Sequence, residues 1–464
     1  MGPPVNAAAL VERLAGVMGS RATLAPGVLE QHGRSEAYHA SLPPDVVVFP
    51  QSTAEVVEIV KLCASLRMPI IPFGAGTSLE GNTAAVAGGV SIDFSGMNRV
   101  IAVNADDMDV VVEPGITRKQ LNTQLRDTGL FFPIDPGADA SIGGMTSTRA
   151  SGTMAVRYGT MKDNVMALEV VLADGRVIRT AKRARKSAAG YDLTRLFVGA
   201  EGTLGVITEV TLKLHPLPQA ISAAVCCFDS LKDAVDTAIT VIQSAIPVAR
   251  IELLDDVMMR GINAYAKLGY WEAPTLFFEF HGSDAGVAEQ AEAAQAIAAD
   301  HAGRGFEWAR AAEERSRLWH ARDNTLYAGL GLRPGSRALI TDVCVPISRL
   351  AECLTATRRD ADESGFTAPI VGHVGDGNFH MLILVDPAQP EEIARAKALH
   401  GRMVARAIAM NGTSTGEHSI GLGKIGYLAE ELGEAVDVMR GIKAALDPNG
   451  LMNPGKIFAQ GART

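Results

Sequence analysis

Cysteine is scarce in this chain and has no pattern. The five residues Cys63, Cys226, Cys227, Cys344 and Cys353 form no C-x-x-C pair. An odd, scattered set argues against a disulfide framework and fits a reducing compartment, with each cysteine acting as a small buried hydrophobe. Positive charge is also short. The formal net charge of -9 speaks against nucleic acid as a main partner, because phosphate binding needs a basic footprint, but it leaves room for a basic electron-carrier protein. No apolar run approaches the ~18 residues of a membrane span. The first residues lack the basic start, apolar stretch and small-residue cleavage site of a signal peptide. Leu10, Val11, Glu12, Arg13 and Leu14 read instead as a short helix. The expected location is therefore the cytoplasm, with contact to a membrane only through an electron acceptor. Internal repeats and low-complexity segments are absent as well.

What is present is a globular composition, 47% hydrophobic and 20% charged, in 464 residues, which is too long for one ordinary core. The first half alternates strand and helix signals. Val46-Val47-Val48-Phe49 ends at Pro50, Ser52 or Thr53 can cap a helix with an apolar stripe through Val56, Ile59 and Val60, and Pro69-Ile70-Ile71-Pro72 runs straight into Gly74. Val90 to Asp93 and Met108 to Val112 read as further strands. Leu168 to Ala173 and Val177-Ile178, joined through Asp174-Gly175, read as a hairpin. His215-Pro216-Leu217-Pro218 interrupts the pattern and places a domain boundary after residue 217. Beyond it, helices are expected over Ala285 to His301 and Glu391 to Met410, the latter stopped by Asn411-Gly412, with strands at Thr275 to Phe280 and Ala368 to Val385.

Three small-residue segments stand in the first half. Gly74-Ala75-Gly76-Thr77-Ser78-Leu79-Glu80-Gly81 follows a strand, so its amides and hydroxyls can wrap a diphosphate. It matches neither G-x-G-x-x-G nor a Walker loop. Pro136 to Gly144 precedes Ala150-Ser151-Gly152 and Arg157-Tyr158-Gly159, and Gly199 to Thr208 is the third segment. Together they imply backbone closely approaching something large and flat, although a loop-rich domain would look similar.

The second half carries Val371-Gly372-His373-Val374-Gly375-Asp376-Gly377-Asn378-Phe379-His380-Met381. Apolar residues flank a Gly-Asp-Gly-Asn turn, which is a hairpin signal. A turn centred on Asp376-Gly377 sets His373 opposite His380, on one face, where two imidazoles can converge on one metal ion. Glu417, in Thr415-Gly416-Glu417-His418, is the candidate third ligand, which leaves His418 available as a base. Taken alone, such histidines are more often core or surface residues.

The glycine segments, in this order, resemble the FAD-binding domain of flavoenzymes of the vanillyl-alcohol-oxidase type, over roughly Pro43 to Leu217. The histidine hairpin and Thr415-Gly416-Glu417-His418 resemble the C-terminal domain of FAD-linked D-2-hydroxy-acid dehydrogenases, as do Leu318-Trp319-His320-Ala321-Arg322 and Asp447 to Lys456. Thr341 to Leu350 is similar to the D-lactate dehydrogenase (cytochrome) branch of that family. The resemblance implies an α+β fold. A two-subdomain FAD-binding domain of the PCMH type would span 1–217, and a C-terminal α+β substrate and metal-binding cap domain would span 218–464, with its tail, 446–460, returning to the flavin. It implies non-covalent FAD contacted by Pro72, Gly74, Ala75, Gly76, Thr77, Ser78, Gly81, Pro136, Gly137, Ala138, Ser141, Gly143, Gly144, Ala150, Ser151, Gly152, Tyr158, Glu201, Gly205, Ile207 and Asn453. A divalent metal, zinc or manganese, would be held by His373, His380 and Glu417. His418 would be the catalytic base, with Arg322, Trp319 and Asn378 binding substrate. The implied reaction is oxidation of a small D-2-hydroxy acid, above all D-lactate to pyruvate, by hydride transfer to flavin N5. Electrons then pass to a cytochrome or quinone, and a homodimer is compatible. D-2-hydroxyglutarate or glycolate oxidation, or service as a flavin-binding subunit of a larger oxidase, are the alternatives. Two positions depart from the family pattern: Arg149 replaces a small residue and Ser419 replaces a glycine.

Overall fold

The computed structural model describes residues 7–35, 39–267 and 269–459, so residues 1–6 of the expected N-terminal reading, and residue 460 of the expected tail, lie outside them. The chain divides into two compact units. One holds 1–150, 160–217 and 417–464, and the other holds 151–159 and 218–416. The single cut after residue 217 suggested by the prolines thus becomes a discontinuous division. Residues 151–159 go with the second unit because the short helix Ala155–Tyr158 packs on its strand Val248–Leu254.

Among its described residues the first unit contains two larger sheets and a two-stranded pair, Leu130–Phe131 with His215–Pro216. In the smaller of the two larger sheets, Val46–Val48, Val90–Asp93 and Ile70–Phe73 run parallel, with Ala22–Thr23 antiparallel at the edge. Helix Thr53–Leu66 connects two of these strands. Its N-cap is Ser52, whose side chain accepts from the Glu55 amide, and it buries Val56, Ile59, Val60 and Cys63. Helix Ala7–Met18 covers the same core through Leu10 and Leu14. The second sheet is antiparallel, in the order Val100–Asn104, Asp109–Val112, Val206–Lys213, Val165–Val171, Val177–Arg179. The Asp174-Gly175 turn closes its last hairpin, with Gly175 at φ 84. The C-terminal tail joins the parallel sheet: the Ile70 amide donates to the Leu451 carbonyl at 2.8 Å, and the Asn453 amide donates to the Ile70 carbonyl at 2.8 Å.

The second unit is built on an 8-stranded antiparallel sheet. Val248–Leu254 lies between Thr275–Gly282 and Ile370–His373, followed by Asn378–Val385 and Arg337–Ile340. Helices Leu231–Gln243, Asp284–Asp300, Leu350–Ser364 and Pro390–Ala409 pack against one another and on the strands. Pro390–Ala409 stops at Asn411, which takes φ 59, while the Gly412 amide donates back to the Ala407 carbonyl. Among the described residues, no helix is long and apolar enough to cross a membrane.

Candidate functional site

Within the second unit, the strand Val248–Leu254 is apolar except for Arg250 and Glu252, which alternation sets on one face. The Glu252 side chain is 0% exposed, a placement that demands partners. Its Oε1 accepts from His373 Nδ1 at 2.7 Å, and its Oε2 accepts from Arg322 Nε at 2.8 Å and Nη2 at 2.7 Å. Burial is the strongest single influence on this carboxyl and opposes ionisation. The Arg322 guanidinium and the hydrogen bond from His373 together outweigh it and hold the pKa below the usual glutamate value. An ionised carboxylate can only accept, so Nδ1 of His373 carries the proton and Nε2 presents its lone pair.

The hairpin register differs from the sequence expectation. His373 pairs with Asn378, and Val371 pairs with His380. The turn takes four residues, Val374 to Gly377, closed by the Asp376 amide on the His373 carbonyl at 3.1 Å and the Gly377 amide on the Val374 carbonyl at 3.4 Å. The two histidines are therefore diagonal neighbours rather than direct opposites. They still share a face, with ring centroids 5.4 Å apart and planes 80° to each other. His380 Nδ1 lies 3.1 Å from the Thr341 carbonyl, which can only accept, and 3.6 Å from Asp342 Oδ1. Both imidazoles thus turn Nε2 lone pairs away from fixed acceptors, a donor set suited to a divalent cation. Asn378 donates both amide hydrogens inward, to Asp342 Oδ1 and the Val343 carbonyl, each at 2.8 Å. Asp342 Oδ2 also accepts from Thr415 Oγ1 at 2.8 Å. Gly416 lies so close to the Asn378 amide that a Cβ would collide with it, and Glu417 follows one peptide bond later.

Arg322 and Trp319 sit on the helix Ala312–Asp323. One edge of the Arg322 guanidinium is already committed to Glu252, and Nη1 lies 3.3 Å from Thr325 Oγ1. Trp319 is buried beneath the Arg250 guanidinium, whose Cζ lies 4.7 Å from the indole ring centroid, and the Trp319 Nε1 has no protein hydrogen-bond partner. Ser151, Gly152 and Tyr158, expected at the flavin, belong to this unit. The Tyr158 hydroxyl lies 2.7 Å from His281 Nδ1, and His281 Nε2 lies 2.8 Å from Glu279.

In the first unit the glycine loops are tightly constrained. A Cβ on Gly74 would overlap Ser141 Oγ, and Ser141 caps the helix Ile142–Thr148 by accepting from the Gly144 amide at 3.3 Å. Gly143 abuts Pro114, and Gly205 abuts Val170. Gly202, at φ 71, leaves only 2.9 Å between a Cβ and Pro72 Cγ. Gly137, by contrast, is open on that side. The Ser78 hydroxyl is enclosed and has no protein partner, an orphaned donor at the loop whose backbone suits a diphosphate, so the residues present fit a dinucleotide such as FAD. Ala75, Thr77, Pro136, Ala138 and Ala150 belong to this unit too, and Ile207 is buried in its antiparallel-sheet core.

Glu201 gathers the rest. Its buried carboxylate accepts from Asn82 Nδ2 at 2.6 Å, the Ile420 amide at 2.9 Å and the Gly421 amide at 2.8 Å. Desolvation nevertheless pushes its pKa up to about 7. Asn453 Nδ2 donates to the carbonyls of Asn82 at 3.0 Å and Glu201 at 2.7 Å, tying the tail to this network. His418 Nε2 lies 3.9 Å from Glu417 Oε1. Of the two departures from family pattern, Arg149 takes φ 56 and grips the Val198 carbonyl through Nε and Nη2, at 3.3 and 3.1 Å, and Ser419 takes φ 65.

Sequence reasoning missed Glu252, Thr341 and Asp342. The only local signal for Glu252 was an acid inside an apolar strand.

The family model "FAD linked oxidases, C-terminal domain" matches residues 217–457, and "FAD binding domain" matches residues 44–181. A protein from Danio rerio named "Probable D-lactate dehydrogenase, mitochondrial" is 54% identical over 93% of this chain and 88% of its own length. The Arabidopsis thaliana "D-lactate dehydrogenase [cytochrome], mitochondrial" is 52% identical over 92% of this chain and 76% of its own. The solved structure of p-cresol methylhydroxylase, at 17% identity, superposes with a TM-score of 0.81 over 100% of this chain and 99% of that one, a likeness of fold. The expectation of a cytoplasmic location is overturned: both named relatives are mitochondrial proteins, and the absence of signal-peptide features could not speak to that compartment.

Proposed function

This chain belongs to the FAD-linked oxidases, and we propose that it oxidises a small D-2-hydroxy acid, D-lactate first, to the 2-oxo acid, using non-covalent FAD and a divalent cation. The observation that carries the reading is the buried Glu252 carboxylate joining an imidazole to a guanidinium in the unit expected to take substrate. The names of the two relatives support the choice of substrate.

Arg322 offers its remaining guanidinium edge to the substrate carboxylate. Because Glu252 already balances that cation, an incoming carboxylate still lacks a countercharge, which a divalent ion held by His373, His380 and Glu417 would provide. Zinc or manganese there would supply a charge that favours an ionised hydroxyl, and FAD would supply the two-electron acceptor. His418 takes the hydroxyl proton as the C2 hydrogen leaves with its electron pair. Trp319, with its unpaired Nε1, walls the substrate and can donate to one of its oxygens. Electrons leave to a cytochrome, the acceptor in the name of the Arabidopsis relative.

The test is the visible spectrum of the purified protein under anaerobic conditions. D-lactate should bleach the flavin band and L-lactate should not. A colourless protein that cannot be reconstituted with FAD, or equal bleaching by both enantiomers, would sink the reading.

A further inference from the structure

We propose that Glu252 is a positioning residue that couples cation binding to substrate binding, one oxygen fixing the His373 ring and the other aiming the Arg322 fork. The idea deepens the reading above and rests on it. Three facts carry it. The side chain is fully buried on a strand that is otherwise apolar apart from Arg250. Its two oxygens divide their work: Oε1 serves His373 at 2.7 Å, and Oε2 serves two nitrogens of Arg322 at 2.8 and 2.7 Å. Its partners come from separate elements, the end of the strand Ile370–His373 and the helix Ala312–Asp323.

Spanning two groups with distinct jobs makes the orientation of the carboxylate common to both. Accepting from Nδ1 fixes the tautomer and the plane of His373, so that Nε2 meets a cation with its lone pair. Accepting from Nε and Nη2 fixes the guanidinium plane, so the opposite edge faces a substrate carboxylate in one orientation. Tilting the carboxylate would move both at once. His380 achieves the same ring orientation independently, through the Thr341 carbonyl at 3.1 Å, so the coupling passes through His373 alone.

Glu252→Gln is the discriminating variant. The amide has nearly the same shape but only one accepting oxygen, so it can serve His373 or Arg322 and not both. Full-length protein loaded with FAD and stripped by chelator is titrated with zinc chloride against a chromophoric chelator. In parallel, KM and kcat for D-lactate are measured at saturating zinc. The Gln variant should lose zinc affinity by about 10–100-fold and raise KM by about tenfold, with kcat changed less than KM and with FAD content and flavin spectrum as in the unaltered protein. A variant in which neither quantity moves, or only one does, overturns the coupling. Unaltered protein that binds no zinc yet is bleached by D-lactate removes the cation reading itself, which separates the two failures. Should the Gln variant fail to fold, nitrogen-15 shifts of His373 in the unaltered, zinc-free protein decide. The Nδ1-protonated tautomer is expected, and the Nε2-protonated form overturns the proposal.

Discussion

The two units present their candidate ligand sites in different materials. In the first, the residues at the dinucleotide loops are ones whose side chains had to be absent: Gly74, Gly143, Gly202 and Gly205 each sit where a Cβ would strike a neighbour. Specificity there is a matter of backbone and shape. In the second, the decisive residues are buried and polar or charged, and Glu252 satisfies two of them at once, one imidazole and one guanidinium. A backbone site tolerates changes of charge and fails on added volume. A site of paired charges tolerates modest changes of volume and fails when one partner is removed, because the other stays buried and unpaired.

The largest effect follows from that contrast. His373→Ala should lower turnover by on the order of 10²–10³ and abolish zinc retention, with FAD content unchanged. Loss of FAD from this variant would show that the division between the two units is false. The converse comes next. Gly74→Ala places a methyl group on Ser141 Oγ and disturbs the cap of the helix that follows. Retention of FAD should fall roughly fivefold, consistent with the ~1 kcal/mol of a lost cap, while zinc affinity by chelator competition stays put.

How legible these sites were in the sequence follows the same line. Glycines announce themselves, so all three small-residue segments could be found by eye. The histidine hairpin was legible in outline, yet its register was misread by two residues. The expected pairing of His373 with His380 became His373 with Asn378. A slip of one residue would have sent one histidine to the far side of the sheet; a slip of two preserves the face, so the pair survived the error. Gly375 and Gly377 made a tight two-residue turn look natural, whereas the backbone spreads the reversal over four residues, with Gly377 at φ 81. Glu252 could not be found this way. Its partners stand 70 and 121 positions along the chain, and local pattern carries no trace of a bond at that range. The division into units was blurred for a similar reason, because residues 151–159 join the second unit only through tertiary packing.

A third prediction sets the units against each other in their response to pH. Each contains a buried acid that desolvation, the largest cause, pushes up to about 7: Glu201 in the first, Asp255 in the second. The folded form of such a group holds its proton more tightly than the unfolded form. Stability is therefore fullest below the unfolded pKa, falls as pH rises towards 7, and is level above it. Thermal melting should drop between pH 5 and pH 7, each acid contributing on the order of 2–3 kcal/mol. Glu201→Gln should remove part of that slope and Asp255→Asn another part. A slope untouched by either substitution would mean that both acids are ionised throughout.

The smallest effect is expected at Ser419, where this chain departs from the family pattern. Its φ of 65 is a left-handed conformation, which costs a residue with a Cβ about 1 kcal/mol. Against that, its Oγ accepts from Asn82 Nδ2 at 2.8 Å, a bond between partly buried groups that contributes about 1 kcal/mol. Asn82 keeps its shorter bond to Glu201, at 2.6 Å, whichever residue stands at 419. Ser419→Gly therefore relieves strain but gives up the bond from Asn82 and the one the hydroxyl donates to the His418 carbonyl, and the freedom that glycine gains in the unfolded chain adds to the balance against it. Melting should change by no more than about 3 °C. Turnover should change by less than about threefold, since 1.4 kcal/mol would be needed for a factor of ten. A large gain in turnover on Ser419→Gly would reveal that the strained serine holds the neighbouring His418 away from its working position, and that backbone shape governs the catalytic base as closely as it governs the glycine loops.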